Sequence, residues 1–314
     1  MTALDQRRFL FVTGKGGTGK TTMTATLAVA LAERGRRVLI AASEPKERIS
    51  ELFGVAPIGG DISSVATNIF AVKISPEAAL REYGEMILRS RTVYNAVFGN
   101  KYVKGFFAAV PGLHQWAILG KAWFHSTETD ANGRPRFDVV LFDAPATGHG
   151  LDMLRVPKVI VDVVPPGILR RDAERAWTMF QNPAESGVVI VALPEEMPAS
   201  ESIELAEAIT TELRLPIATV IVNQVIDALF DVRERAELAK PQNLAAGDPA
   251  DDAVAVARRR AATETVQADA LERIGNGIAA NLVRIPRQLE YPSDPASIRG
   301  LAKILGAALF GARA

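Results

Sequence analysis

Eight residues, GKGGTGKT from Gly14 to Thr21, bring together four glycines, two lysines and two threonines. This is the composition of a cradle for a polyanion. Glycines at 14, 16, 17 and 19 allow consecutive backbone N–H groups to turn toward one anion with no Cβ in the way. A helix that opens at the end of the loop adds the partial positive charge of its N-terminus. The spacing meets the pattern G-x-x-x-x-G-K-[ST], in which the lysine, here Lys20, reaches the β- and γ-phosphates and the hydroxyl, here Thr21, ligates Mg²⁺. The candidate nucleotide contacts are therefore Gly16, Gly17, Thr18, Gly19, Lys20, Thr21 and Thr22. Lys15 is a second lysine that phosphate binding does not require.

A carboxylate follows further on. In DAPATGHG (143–150), Asp143 comes directly after the apolar run Val139–Phe142. It stands at the C-terminal end of an expected strand, where a carboxylate can hold a Mg²⁺-bound water. Gly148 can bring its N–H close to a γ-phosphate. Thr21 and Asp143 are the candidate metal residues, and ATP with Mg²⁺ is the expected ligand pair. His149 has no second His or Cys close by in the chain, which argues against a metal site there.

The elements that must position these groups follow from periodicity. Apolar runs at Phe9–Thr13, Val38–Ala42, Ile69–Ile74, Val139–Phe142, Val188–Leu193, Thr219–Val222 and Leu282–Ile285 read as strands. Most are continuous rather than alternating, as in a parallel sheet covered on both faces. Helical patterns separate them, beginning with Thr21–Arg34, which ends before Gly35. Two segments interrupt this rhythm. Residues 76–128 form a long helical insert with three of the four tyrosines and two of the three tryptophans. Residues 227–281 form a second helical segment, broken near 241–252, where a surface loop is expected. No internal repeat is evident, so residues 1–314 are read as a single domain.

Bulk composition narrows the setting. The formal net charge is zero, with 36 basic and 36 acidic residues, which offers no field for nucleic acid. Cysteine is absent, so disulfides, thiolate metal sites and cysteine nucleophiles are excluded. No signal-like segment precedes the first strand, and no apolar run approaches the roughly 18 residues of a membrane span. The expected location is the cytoplasm, without stable membrane insertion.

The form GKGGTGKTT, with a lysine straight after the first glycine, resembles the deviant phosphate loop of the MinD/ArsA group of ATPases. DAPATGHG is similar to the switch II motif of the ArsA branch, which contains anion-transporting and tail-anchored-protein-targeting ATPases. VPGLHQWAILGKAW (110–123), IVNQV (221–225) and SIRGL (297–301) match further segments of that branch in order. The chain resembles a bacterial, cysteine-free member. The resemblance implies an α/β P-loop NTPase fold, with a mostly parallel central sheet flanked by helices and a helical insert subdomain. It also implies ATP hydrolysis by a dimer, either a homodimer or a heterodimer with a paralogous ATPase. In such a dimer Lys15 reaches the phosphates held by the other subunit, as an arginine finger supplied in trans does. Asn223 reads the adenine edge, and the loop IPRQLEYP (285–292), with Pro286 and Arg287, covers the base.

The departures are informative. The family typically has S-T-D-P-A-H after the second strand, whereas ASEPKERIS places Glu44 at the water-positioning Asp and Glu47 at the His. A glutamate keeps the carboxylate one methylene further out, so Glu44 either orients the attacking water or leaves hydrolysis slow. His114 and Gln115 replace acidic residues of the family. Without cysteine, neither thiolate-bound arsenite nor a shared cysteine-held zinc is available.

Lys15, Glu44 and Asp143 are thus the candidate catalytic residues. Two questions remain open at this level. The aromatic and aliphatic residues of 76–128 either pack the insert's own core or receive a hydrophobic client, such as a membrane-protein segment. The helix expected at Pro295–Phe310 either docks on the domain or lies on a membrane. The leading expectation is an ATPase switch coupled to a partner. A client-binding chaperone and the energising subunit of an anion transporter not based on thiol-bound arsenite are the alternatives.

Overall fold

Seven apolar runs become seven parallel strands of one sheet in the computed structural model, which describes residues 4–43, 47–88, 112–145, 149–241 and 247–311. In chain order the strands are β1 (Phe9–Thr13), β2 (Val38–Ala42), β3 (Ser63–Ala66), β4 (Ile69–Lys73), β5 (Val139–Asp143), β6 (Ser186–Ala192), β7 (Ile217–Val225) and β8 (Leu282–Pro286). Their spatial order is β3-β4-β2-β5-β1-β6-β7-β8. Only the edge strand β3 runs antiparallel, pairing with β4. Every residue of β1, β2, β5 and β6 is buried. That is why these strands read as unbroken apolar runs instead of alternating.

β3 was not expected. Only Val65 of Ser63–Ala66 is buried, so the segment lacks the apolar signal of its neighbours. β7 extends beyond the expected Thr219–Val222 on both sides, because Ile217 pairs with Val188 and Val225 with Pro286.

The helices are α1 (Lys20–Ala32), α2 (Ile49–Phe53), α3 (Pro76–Leu88), α4 (Leu113–Thr127), α5 (His149–Val163), α6 (Ile168–Gln181), α7 (Glu196–Glu207), α8 (Val232–Ala239), α9 (Pro249–Gly277) and α10 (Pro295–Phe310). α1 ends at Ala32, two residues before the expected end. The chain turns there, and the Gly35 N–H, at φ 83°, reaches back to the Ala32 carbonyl. α9 begins at Pro249, capped by Asp248, so the expected break near 241–252 becomes helical over its last four residues. Residues 242–246 lie outside the described residues.

Two apolar clusters flank the sheet. One joins β1, β5 and β6 to α4–α7 and α9, and the other joins the sheet to α1, α2 and α10. Trp116 and Trp123 of α4 are buried, with ring centroids 6.4 Å apart, and belong to the first cluster. These two tryptophans therefore serve the core, as one of the two expectations for the insert had it. The side chains of Ile87 and Leu88, and residues 89–111, lie outside the described residues. α10 docks on the domain instead of forming a membrane tail. Ile298, Leu301 and Leu305 are buried, and burial of such a side chain contributes about 1.5–3 kcal/mol. Among the described residues, no helix is long and apolar enough to cross a membrane.

Candidate functional site

β1 lies between β5 and β6, and its C-terminal end leads through Gly14–Gly19 into α1. The loop thus opens at the carboxyl edge of the sheet, where open α/β sheets bind ligands. Its shape is enforced by close contacts. Gly14 adopts φ 148°, and a Cβ there would stand 2.1 Å from the Val191 carbonyl oxygen of β6. Gly19 adopts φ 91°, and a Cβ there would meet the Asn223 amide nitrogen at 2.5 Å. Neither position admits a side chain without movement. Gly14→Ala is expected to destabilise the fold by about 3 kcal/mol or more, since backbone strain and a clash with main chain act together. A thermal midpoint equal to that of the unsubstituted chain would refute this packing.

Polar contacts complete the loop. The Thr18 hydroxyl donates to the Lys15 carbonyl at 2.9 Å, and the Lys20 ammonium donates to the same oxygen at 3.1 Å. Asn223 of β7 donates from Nδ2 to the Thr18 carbonyl at 2.9 Å and accepts from the Gln224 N–H at 2.9 Å. This amide, expected to read a base, thus also pins the phosphate loop to the end of β7. Gln224 beside it takes φ 60°, a conformation non-glycine residues seldom adopt.

Asp143 ends β5 with its side chain buried. The Thr21 hydroxyl donates to its Oδ2 at 2.8 Å, and Thr24 Oγ1 lies 3.1 Å from its Oδ1. A hydroxyl and a carboxylate converging beside the phosphate loop are hard oxygen donors suited to Mg²⁺, with nucleotide phosphates and water completing the set. No group of three or more His, Asp or Glu able to hold a metal exists among the described residues, so a protein-only cage is absent there. His125 does not supply one. Its Nδ1 lies 2.7 Å from Glu128, its Nε2 is buried without a partner, and burial lowers its pKa against the pull of Glu128.

A cleft of about 520 Å³ runs from this loop to the segment after β8. It brings together Gly17, Gly19, Lys20, Thr21, Thr22, Asn223 and Arg287 of the expected residues. Arg287 is fixed by its N–H, which donates to the Val225 carbonyl at 2.8 Å. Pro286 faces a neighbouring depression, and Gly16 and Thr18 belong to the loop without lining the cleft. Glu44 and Gly148 lie outside the described residues. Both flanks of Glu44 are anchored. Ser43 donates to the Asp143 carbonyl at 2.7 Å, and Glu47 accepts from the N–H groups of Ser50 and Ile58.

The comparisons with known proteins agree with this geometry. Residues 7–165 match the model of the family described as anion-transporting ATPase. ATPase BagA of Mycobacterium tuberculosis is 32% identical over 238 residues, covering 74% of this chain and 69% of that protein. ATPase GET3 of Kluyveromyces lactis is 25% identical over 259 residues, 71% of this chain and 74% of that protein. The arsenical pump-driving ATPase of Escherichia coli is 33% identical over 153 residues, 48% of this chain and 25% of that protein. The chain belongs to the anion-transporting ATPase family. It is an ATP-hydrolysing enzyme with a P-loop NTPase fold.

In this ATPase, Lys15 does not join the cleft lining. Its ammonium pairs with the Glu201 carboxylate of α7, whose second oxygen, Oε2, is buried without a hydrogen-bond partner. Sequence reasoning placed the loop 285–292, which holds Tyr291, over the base, but missed Glu201 and the meeting of Arg48 with Tyr291. Glu201 lies one helical turn into the element after β6, and its place beyond a strand at the same carboxyl edge is the signal that could have found it. Arg48 and Tyr291 are separated by 243 positions, and local pattern offers no cue to their meeting.

Proposed function

We propose that this ATPase works as a Mg²⁺-dependent dimeric switch, in which ATP closes two subunits and hydrolysis reopens them. The observation that carries the proposal is the orientation of Lys15. Its ammonium rests on Glu201 of α7, while Lys20 alone among the loop lysines lines the chain's own cleft. A cation placed beside a phosphate loop but outside its lining is positioned to serve a nucleotide held by a second subunit. Mg²⁺, held by Thr21 and Asp143, would neutralise developing phosphate charge. Asn223 and Arg287 border the base end, Glu44 orients the attacking water, and the N–H of Gly148 registers the γ-phosphate. Loss of that phosphate releases the two switch segments. The partner subunit is a second copy or a paralogue, and the expected setting is the cytoplasm.

Sedimentation velocity tests this directly. Glu44→Gln, which slows hydrolysis while keeping a polar side chain, is expected to sediment as a dimer with Mg²⁺-ATP and as a monomer with ADP or no nucleotide. One unchanged species under all three conditions would sink the switch.

A second reading rests on a separate observation. An apolar cleft of about 360 Å³ lies between α3, α4 and α6, lined in part by Tyr83, Met86, Trp116, Trp123 and Phe124. It supports a hydrophobic client, such as a membrane-protein segment, as the load that the switch acts on. Energising an anion transporter is the third use, supported by the family description alone, and the absence of cysteine argues against thiolate-bound arsenite as its ion.

A further inference from the structure

The nucleotide cleft is bordered on its open side by two residues from distant parts of the chain. Arg48 is the N-cap of α2, four residues beyond Glu44. Tyr291 belongs to the loop between β8 and α10, which lines the base end of the cleft. Arg48 Nη1 donates to the Tyr291 hydroxyl at 3.0 Å, and the guanidinium carbon lies 5.4 Å from the ring centroid. The Arg48 Nε also faces Glu51 at 3.5 Å. Both Arg48 and Tyr291 line the cleft together with Lys20, Thr21 and Arg287.

The surroundings hold this pair in register. Glu47 accepts from the Ser50 N–H at 2.7 Å and from the Ile58 N–H at 3.3 Å, which ties the residue before Arg48 to both ends of the α2 region. At the other end of α2, Gly54 adopts φ 64°, and a Cβ there would come within 3.2 Å of Pro295, the first residue of α10. Asp294 caps α10 in a reciprocal box with Ser297. The loop carrying Tyr291 is therefore fixed at its far end against the helix that carries Arg48. In contrast, Leu289 and Tyr291 themselves are largely exposed. Two firm bases joined by one exposed contact make a joint that opens and recloses easily, because exposed polar and cation–π contacts are individually weak.

We infer that Arg48 and Tyr291 form a clasp across the mouth of the nucleotide cleft, which retains a bound adenine nucleotide and joins the base-covering loop to the start of α2. Both are positioning residues. The inference rests on the cleft being the nucleotide site.

Stopped-flow displacement of a fluorescent N-methylanthraniloyl derivative of ATP by unlabelled ATP provides the test, on the full chain. Tyr291→Phe keeps the ring and removes the hydroxyl, and Arg48→Gln removes the cation. Each is expected to release the nucleotide about three- to ten-fold faster, the scale of one lost hydrogen bond. The double variant is expected to be no faster than the faster single one, because the two side chains make one contact. The KM for ATP should rise in parallel, while the thermal midpoint without nucleotide stays within about 2 °C, as for an exposed contact. A change in stability without a change in release would mark a merely structural contact. Release rates unaltered in both single variants, or effects that multiply in the double variant, would overturn the clasp. If the unsubstituted chain took up no nucleotide, and Lys20→Ala behaved identically, the site reading and the clasp would fall together. Uptake that Lys20→Ala weakens, with release unmoved by Tyr291→Phe and Arg48→Gln, would remove the clasp alone.

Discussion

Lys15→Ala is expected to lower kcat for ATP about a thousand-fold while nucleotide affinity changes by less than about three-fold, as for loss of a trans-acting cation that acts in the transition state. The split follows from where the ammonium lies. It pairs with Glu201 and does not line the cleft, so a bound nucleotide in the same chain should scarcely notice its removal. Phosphoryl transfer, by contrast, develops charge that a late-arriving cation stabilises strongly. Steady-state turnover and equilibrium binding of a fluorescent ATP derivative measure the two quantities separately. Glu201→Gln is the companion variant. It frees Lys15 without altering it, and should promote ATP-dependent association where Lys15→Ala abolishes turnover. Turnover of Lys15→Ala at the rate of the unsubstituted chain would leave the second lysine with no part in catalysis.

The opposite pattern is expected for the other lysine. Lys20→Ala should weaken ATP binding by at least about a hundred-fold, since two charge-assisted bonds to phosphate contribute about 1.5–3 kcal/mol each. Its ammonium currently donates to the Lys15 carbonyl at 3.1 Å inside the loop, and it lines the cleft. Isothermal titration calorimetry with ATP decides the matter, and an affinity within a factor of a few of the original would place the phosphates elsewhere. The Lys20 effect on affinity and the Lys15 effect on turnover separate two roles that one short motif carries.

Much of the framework was legible because it depends on local pattern. The phosphate loop could be read from the spacing of its glycines, lysine and threonine between a strand and a helix, and Gly14 and Gly19 do occupy backbone conformations that exclude a Cβ. The parallel strands were legible because both faces are covered, which leaves unbroken apolar runs. β3 escaped because an edge strand with one buried residue has no such run. Glu47 was read as occupying a family histidine position near the chemistry. In the structure its carboxylate is spent on the N–H groups of Ser50 and Ile58. Asn223 lines the cleft, and its hold on the Thr18 carbonyl depends on β1 and β7 standing on either side of β6. The contacts of Glu201 with Lys15 and of Tyr291 with Arg48 escaped for the same reason. The partners lie 186 and 243 positions apart, and only the closed sheet brings them together.

The docking of α10 on α1 joins distant parts of the chain. α1 begins with Lys20, yet its outer side is covered by Ile298, Leu301 and Leu305, near the other end of the sequence. The amide that pins the phosphate loop arrives with β7, and Arg287 only after β8. During synthesis, the residues proposed to grip phosphate emerge long before β7, β8 and α10, with nearly 300 positions from the loop to the end of α10. At about 5–20 residues per second, that is an interval of tens of seconds. Throughout it the nascent loop has neither Asn223 nor Arg287 beside it, so on the proposed reading of the cleft its hold on ATP is complete only once β8 and α10 settle. Nucleotide binding thereby reports that the whole sheet, and not merely its first strand, has closed.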